Sequence, residues 1–141
     1  MKLLEMEPDR ALFEGKLQGL IATFYENERP LRGLAGLLDW RLGGILSRAI
    51  RIGALTGRTG ECGYVPFSRN GHTYHLLLLG GGQLSRYARR GLVPDDSFAA
   101  LKKNLQGLKL GEIGLSRSDF GGLADDYLDR QLEGAAFWIV P

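Results

Sequence analysis

Apolar residues in this chain fall in short blocks, each closed by glycine or by a charged turn, rather than at one sustained period. Leu17–Tyr25 (LQGLIATFY) lies between Gly15 and the turn Glu26–Pro30, and predicts a buried strand. Lys2–Glu7 alternates weakly and predicts a short first strand. Gly60–Phe67 predicts another, joined through the Asn70-Gly71 turn signal to His72–Leu79 as a hairpin. Four consecutive leucines, Leu76 to Leu79, have no polar alternation, which predicts a strand covered on both faces. Gly80–Gly82 ends it. Phe98, Leu101, Leu105 and Leu108 recur at helical spacing after Asp95 or Asp96, with Gly107 near the C-terminal end. Glu112–Leu115 predicts a strand, and Ser118 or Asp119 opens a helix carrying Leu123, Tyr127, Leu128 and Leu132 that ends at Gly134. Ala135–Val140 closes the chain as a strand. Strands alternating with helices predict a layered α/β domain with a mixed sheet. With no repeat or linker, residues 1–141 read as one domain.

The stretch Leu37–Ile50 predicts one long amphipathic helix. At 100° per residue Leu38, Leu42, Ile45, Leu46, Ala49 and Ile50 share the arc that faces the sheet. Trp40, Arg41, Gly43, Gly44, Ser47, Arg48 and Arg51 fall on the outer arc, and Asp39 fits a helix cap better than an interior position. An interior glycine costs about 0.5–1 kcal/mol relative to alanine. Gly43 and Gly44 therefore predict that another backbone or a ligand approaches closely. Trp40 among arginines, with Arg32 in the preceding loop, has the composition of an interface centre.

Composition narrows the classes. A formal charge of +2 is too small to imply a nucleic-acid partner, although 13 of the 18 basic residues are arginine, which suits bidentate contact with carboxylates and phosphates. Cys62 is alone, so no intramolecular disulfide forms, and a reducing compartment is expected. The N-terminus lacks the pattern of a secretory signal and no apolar run reaches the ~20 residues that span a bilayer, so the expected location is cytoplasmic.

Catalytic chemistry is not written in the sequence. His72 and His75 are three apart in a strand and point to opposite faces, which makes a poor metal pair. Cys62 has no histidine near it, and Glu61 opposes thiolate formation. Neither a G-x-S-x-G nor a G-x-x-x-x-G-K-[ST] motif occurs. Glu26, Glu28 and Arg29 read as solvated turn charges before Pro30. No metal, cofactor or catalytic residue is expected.

The order of segments nevertheless resembles a known family. Leu38–Asp39, Leu42–Gly43–Gly44, Leu46, Gly57–Arg58–Thr59–Gly60–Glu61 and Leu76–Gly82 are similar to the N-terminal domain of the leucyl aminopeptidases. Pro94–Leu110 looks like the helix that follows there. Arg58 stands where that family usually has lysine, and Gly81 where it often has leucine. The resemblance implies a macro-domain-like three-layer α/β fold with a mixed central sheet flanked by helices. The family's metal ligands and peptidase motifs, resembling D-S-G-G and N-T-D-A-E-G-R-L, occur nowhere in these residues. The expected function is a stand-alone, non-catalytic domain acting in protein binding or assembly, as a homo-oligomer or as an accessory to a separate aminopeptidase chain. Its interface would be Arg32, Trp40, Arg41, Gly43, Gly44, Arg48 and Arg51. The alternative is a small-molecule module for a nucleotide or ADP-ribose-like ligand, with Asn27, Gly33, Gly36, Gly80, Gly81 and Gly82 as its ligand loops.

Overall fold

The computed structural model describes residues 1–133 and 135–140. Its elements are β1 (Lys2–Leu3), α1 (Pro8–Phe13), β2 (Gly19–Phe24), α2 (Gly33–Arg41), α3 (Ile45–Arg51), β3 (Cys62–Arg69), β4 (His72–Gly80), α4 (Asp95–Leu108), β5 (Glu112–Ser116), α5 (Asp125–Gln131) and β6 (Ala136–Val140). A 3₁₀ turn, Arg117–Phe120, follows β5 directly. The strands make one six-stranded sheet in the order β1-β6-β5-β2-β4-β3. All neighbours are parallel except the β3–β4 hairpin, whose register pairs Arg69 with His72 across Asn70-Gly71. The sheet is mixed, as its pattern predicts.

Side chains alternate across a strand, so a strand apolar at every position feeds two cores. Leu20, Ala22, Phe24, Leu76 and Leu78 pack with Leu12, Leu34, Leu38 and Leu46 on the face covered by α1, α2 and α3. Ile21, Leu77, Leu79, Ile113 and Leu115 pack with Phe98, Leu101, Phe120 and Leu128 on the face covered by α4 and α5. Three layers result.

The expected 37–50 helix is two helices. Gly43 and Gly44 have φ of 68° and 83°, which ends α2 and places Gly44 as the left-handed N-cap of α3. A Cβ at either position meets nothing within 4 Å. No backbone crowds this pair; the glycines are there because side chains disfavour left-handed φ. Asp39 caps the second helix from the last turns of the first, accepting Leu46 N–H at 2.9 Å and Ser47 N–H at 3.0 Å, and the Ser47 hydroxyl as well. Gly44→Ala is therefore expected to cost about 1–2 kcal/mol through backbone strain. A denaturation midpoint equal to that of the unaltered chain contradicts this account of the break.

Other boundaries moved for local reasons. The first strand keeps only Lys2–Leu3, because Pro8 at the first helical turn starts α1, a helix the pattern did not predict. Neither Asp95 nor Asp96 is the N-cap of α4; Pro94 is, and both aspartates lie in the first turn, where they complement the helix dipole. Gly107 lies inside α4, which ends on Lys109 in the left-handed conformation. Ser118 and Asp119 belong to the 3₁₀ turn, and α5 begins only at Asp125. The expected helix end at Gly134 lies outside the described residues.

Candidate functional site at the carboxyl ends of the strands

In a parallel sheet the loops at the carboxyl ends of the strands share one rim, and ligands of open α/β folds bind there. Three connections meet at this rim: residues 25–32 after β2, 81–94 after β4, and the 3₁₀ turn with residues 121–124 after β5. Gly81 N–H donates to Phe24 O at 2.9 Å, Glu26 N–H to Gly82 O at 2.9 Å, and Gly122 N–H to Gly91 O at 3.2 Å. Asn27 clasps Leu84 through both ends of its amide, at 2.8 and 2.9 Å. Tyr25 lies fully buried below them, its hydroxyl accepting Gly91 N–H at 2.8 Å. A Cβ on Gly81 would come under 3.0 Å from three atoms of the Tyr25 ring, so only glycine lets the chain leaving β4 pass it.

At the centre sits Asp119, 1% exposed. Its Oδ2 accepts Thr23 N–H at 3.1 Å and the Thr23 hydroxyl at 3.3 Å, and its Oδ1 accepts Leu34 N–H at 3.1 Å. Leu34 lies in the first turn of α2, whose first amides lack helical partners and carry the positive end of the dipole. Arg32 precedes α2 and offers no side-chain cap, so a carboxylate from 85 residues away does that work. Arg90 reaches in from the 81–94 loop. It donates through Nη1 to Asp119 at 3.3 Å, through Nε and Nη2 to Glu28 at 3.1 and 3.4 Å, and through Nη2 to Arg32 O at 2.9 Å. Its guanidinium carbon stands 5.5 Å from the Tyr25 ring centre, in cation–π range. Burial works against the Arg90 charge, but Asp119 and Glu28 outweigh it and raise its pKa above the ordinary value.

Glu28, which reads as a solvated turn charge, is thus buried and paired. Gly33, with φ of 61°, lies against this cluster, since a Cβ there would come under 3.0 Å from Asp119 Oδ1 and the Arg90 guanidinium. Gly80, Gly81 and Gly82 share the rim, and Gly80 Cβ would strike Arg58 O. Gly36 is instead packed on Leu31 O. Exposed guanidinium groups edge the rim at Arg29, Arg32, Arg58, Arg86 and Arg89, and Tyr87 is 87% exposed among them.

The expected interface residues lie on the α2–α3 corner. Trp40 is 74% exposed, with the Arg41 guanidinium 5.0 Å from its ring centre. Arg41 also pairs with Asp9 at 3.0 Å, Arg48 reaches Gly43 O at 3.4 Å, and Arg51 is exposed. Arg32 belongs to the other site through its carbonyl. Residues Pro30, Leu31, Gly36, Asp39, Trp40, Gly43 and Gly44 border a shallow depression of about 420 Å³.

Burial pushes the Cys62 thiol up to about 11, which leaves it protonated and unreactive at neutral pH. His75 accepts or donates one hydrogen bond with the Tyr64 hydroxyl at 2.6 Å, and burial lowers its pKa. Among the described residues no group of three or more His, Cys, Asp or Glu side chains is placed to hold a metal ion, and no helix is long and apolar enough to cross a membrane.

The macrodomain of Thermus aquaticus DarG is similar to this chain with a TM-score of 0.71 at 15% identity, covering 99% of this chain and 97% of that one. The macrodomain of Mycobacterium tuberculosis DarG gives 0.71 at 16%, covering 99% and 96%. The fold is macrodomain-like. A tomato leucine aminopeptidase is similar over 99% of this chain but only 32% of its own, with a TM-score of 0.61 at 14% identity. Thermosipho africanus DarTG in complex with ADP-ribose gives 0.61 at 12%, covering 92% and 39%. The macro-domain-like architecture expected from the aminopeptidase resemblance is present, while membership of the aminopeptidase family is not established by it. No family model and no curated protein sequence matches the chain.

Proposed function

We propose that the chain is a small-molecule binding module of macrodomain type, taking an ADP-ribose-like nucleotide at the rim formed by residues 25–33, 80–94 and 117–124. The observation that carries this reading is the convergence of the α2 amino terminus and glycine backbones at the carboxyl ends of β2, β4 and β5. Backbone N–H groups at such a place favour phosphoryl oxygens. The arginine edge supplies long-range attraction for an anion, and exposed Tyr87 offers a stacking face for a base. Similarity of fold to DarG macrodomains, and to a DarTG structure in complex with ADP-ribose, supports a ligand of this class. Because that similarity is one of fold, the ligand is argued from the site. The activity proposed is binding.

Titration calorimetry with ADP-ribose is expected to show saturable binding that ADP competes and uncharged adenosine does not. Absence of heat up to millimolar ADP-ribose contradicts the reading.

A second reading keeps a protein-binding role, by self-association or as an accessory to a separate aminopeptidase chain. Trp40 favours it, being a large exposed aromatic beside guanidinium groups. The tomato enzyme's likeness is compatible with it. The two readings put the functional surface in different places, which makes them separable.

A further inference from the structure

The donors that would receive a ligand phosphate are already in use. Thr23 N–H and Leu34 N–H point at one spot, and the carboxylate of Asp119 occupies it with the Thr23 hydroxyl as a third donor. Arg90 then bolts that carboxylate to Glu28, tying the 81–94 loop across the rim. Two buried negative groups, Asp119 and Glu28, therefore face any anion that approaches the α2 amino terminus, with a single guanidinium between them. Like charges at this distance in a poorly hydrated site repel strongly.

We infer that Asp119 is the specificity-determining residue of the proposed ligand site: its carboxylate stands in for the ligand's acidic group and weakens the binding of phosphoryl ligands, which must displace it. The inference rests on the ligand-binding reading above. Three features support a stand-in rather than an ordinary ion pair. The carboxylate comes from the 3₁₀ turn of the β5 connection, so it is held by backbone geometry and not by a long flexible side chain. It accepts from the helix amide and from the strand amide together, a pairing of donors suited to an oxyanion. Gly33 lies against it in a left-handed conformation with no room for a side chain, so the carboxylate and Arg90 fill the position closely.

Asp119→Ala empties the position without altering the donors. Asp119→Asn keeps an acceptor there and removes the charge, for the case in which alanine does not fold. With folding verified by circular dichroism, ADP-ribose is expected to bind Asp119→Ala at least tenfold more tightly than the unaltered chain, with Asp119→Asn between them. Pyrophosphate alone is the second probe, and is expected to raise the melting temperature of the alanine variant but not of the unaltered chain. Equal ADP-ribose affinity in all three proteins overturns the stand-in and leaves the binding reading intact. Binding by the unaltered chain that both variants lose also overturns it, because Asp119 then touches the ligand. Stabilisation of Asp119→Ala by pyrophosphate, without ADP-ribose binding by any of the three, upholds the stand-in and overturns the nucleotide. No response to either probe by folded variants overturns both.

Discussion

Arg90→Ala is expected to lower the stability of the protein by about 3 kcal/mol, because it strands two buried carboxylates. The Asp119 and Glu28 side chains are 2% and 7% exposed, and Arg90 itself 26%. Removing one partner of a buried pair costs more than the pair contributes, since the charge left behind keeps its desolvation penalty. Water can reach part of the vacated space, which places the cost at the lower end of the range of about 3–5 kcal/mol for fully buried pairs. For a chain of this length that corresponds to a fall in melting temperature of roughly 6–12 °C. Arg86→Ala, on the same loop and exposed, is the control and is expected to stay within about 0.5 kcal/mol of the unaltered chain. Arg90→Lys keeps the charge but loses the fork that reaches Glu28, Asp119 and Arg32 O together, so it should fall between the two. Equal melting temperatures for Arg90→Ala and Arg86→Ala contradict the ion cluster as described.

Gly80→Ala is the second large effect. A Cβ at Gly80 comes under 3.0 Å from Arg58 O, Arg58 C and Gly57 C, all backbone atoms of the segment that enters β3. That segment is held in turn, with Gly80 N–H donating to Glu61 O at 2.9 Å and Gly82 N–H to Gly57 O at 2.8 Å. Backbone pinned by hydrogen bonds cannot yield as a flexible side chain would, so the methyl is expected to cost about 3 kcal/mol, the upper part of the overpacking range. Gly107→Ala supplies the opposite sign. It lies inside α4 with nothing within 4 Å of an added Cβ, and alanine there is expected to stabilise by about 0.5–1 kcal/mol. Denaturant melts of the two variants test both claims together. A Gly80→Ala midpoint within error of the unaltered protein would show that β4 does not end against residues 57 and 58.

The central strands were legible because burial on both faces leaves their inner stretches almost wholly apolar. Leu76 to Leu79 announce β4 by composition alone, and their alternate burial in two cores follows from the pleat. The start of α2 was hidden for a physical reason. Its amides are capped by Asp119, a residue so distant in sequence that no local signal marks Gly33 as a beginning. Gly43-Gly44 was legible as an exception but not as a kind of exception. A close approach and a left-handed break ask for the same residue, and only φ separates them. Asp39 shows the reverse case: its type signalled a cap, and it caps the helix after the break.

For the site, glycine was the only usable sign. Gly33 and Gly80 to Gly82 mark places where backbone or side chains pass closely, and the fold does gather them at one rim. Glu28, Arg90 and Asp119 carry no such sign. Each is an ordinary charged residue in a polar loop, and their pairing exists only once β2, β4 and β5 lie side by side. Exposed Trp40 lies where the helical pattern puts it, on the outer arc, but the glycines beside it only turn the chain.

The location of ligand binding is the central claim, and amide resonances report it residue by residue. Nitrogen-15-labelled protein titrated with ADP-ribose is expected to show its largest shift changes at Thr23, Leu34, Gly81, Gly91 and Gly122, whose amides sit at the rim. Changes confined to Trp40, Gly43, Gly44 and Arg48, or a spectrum unaltered at millimolar ADP-ribose, would contradict it.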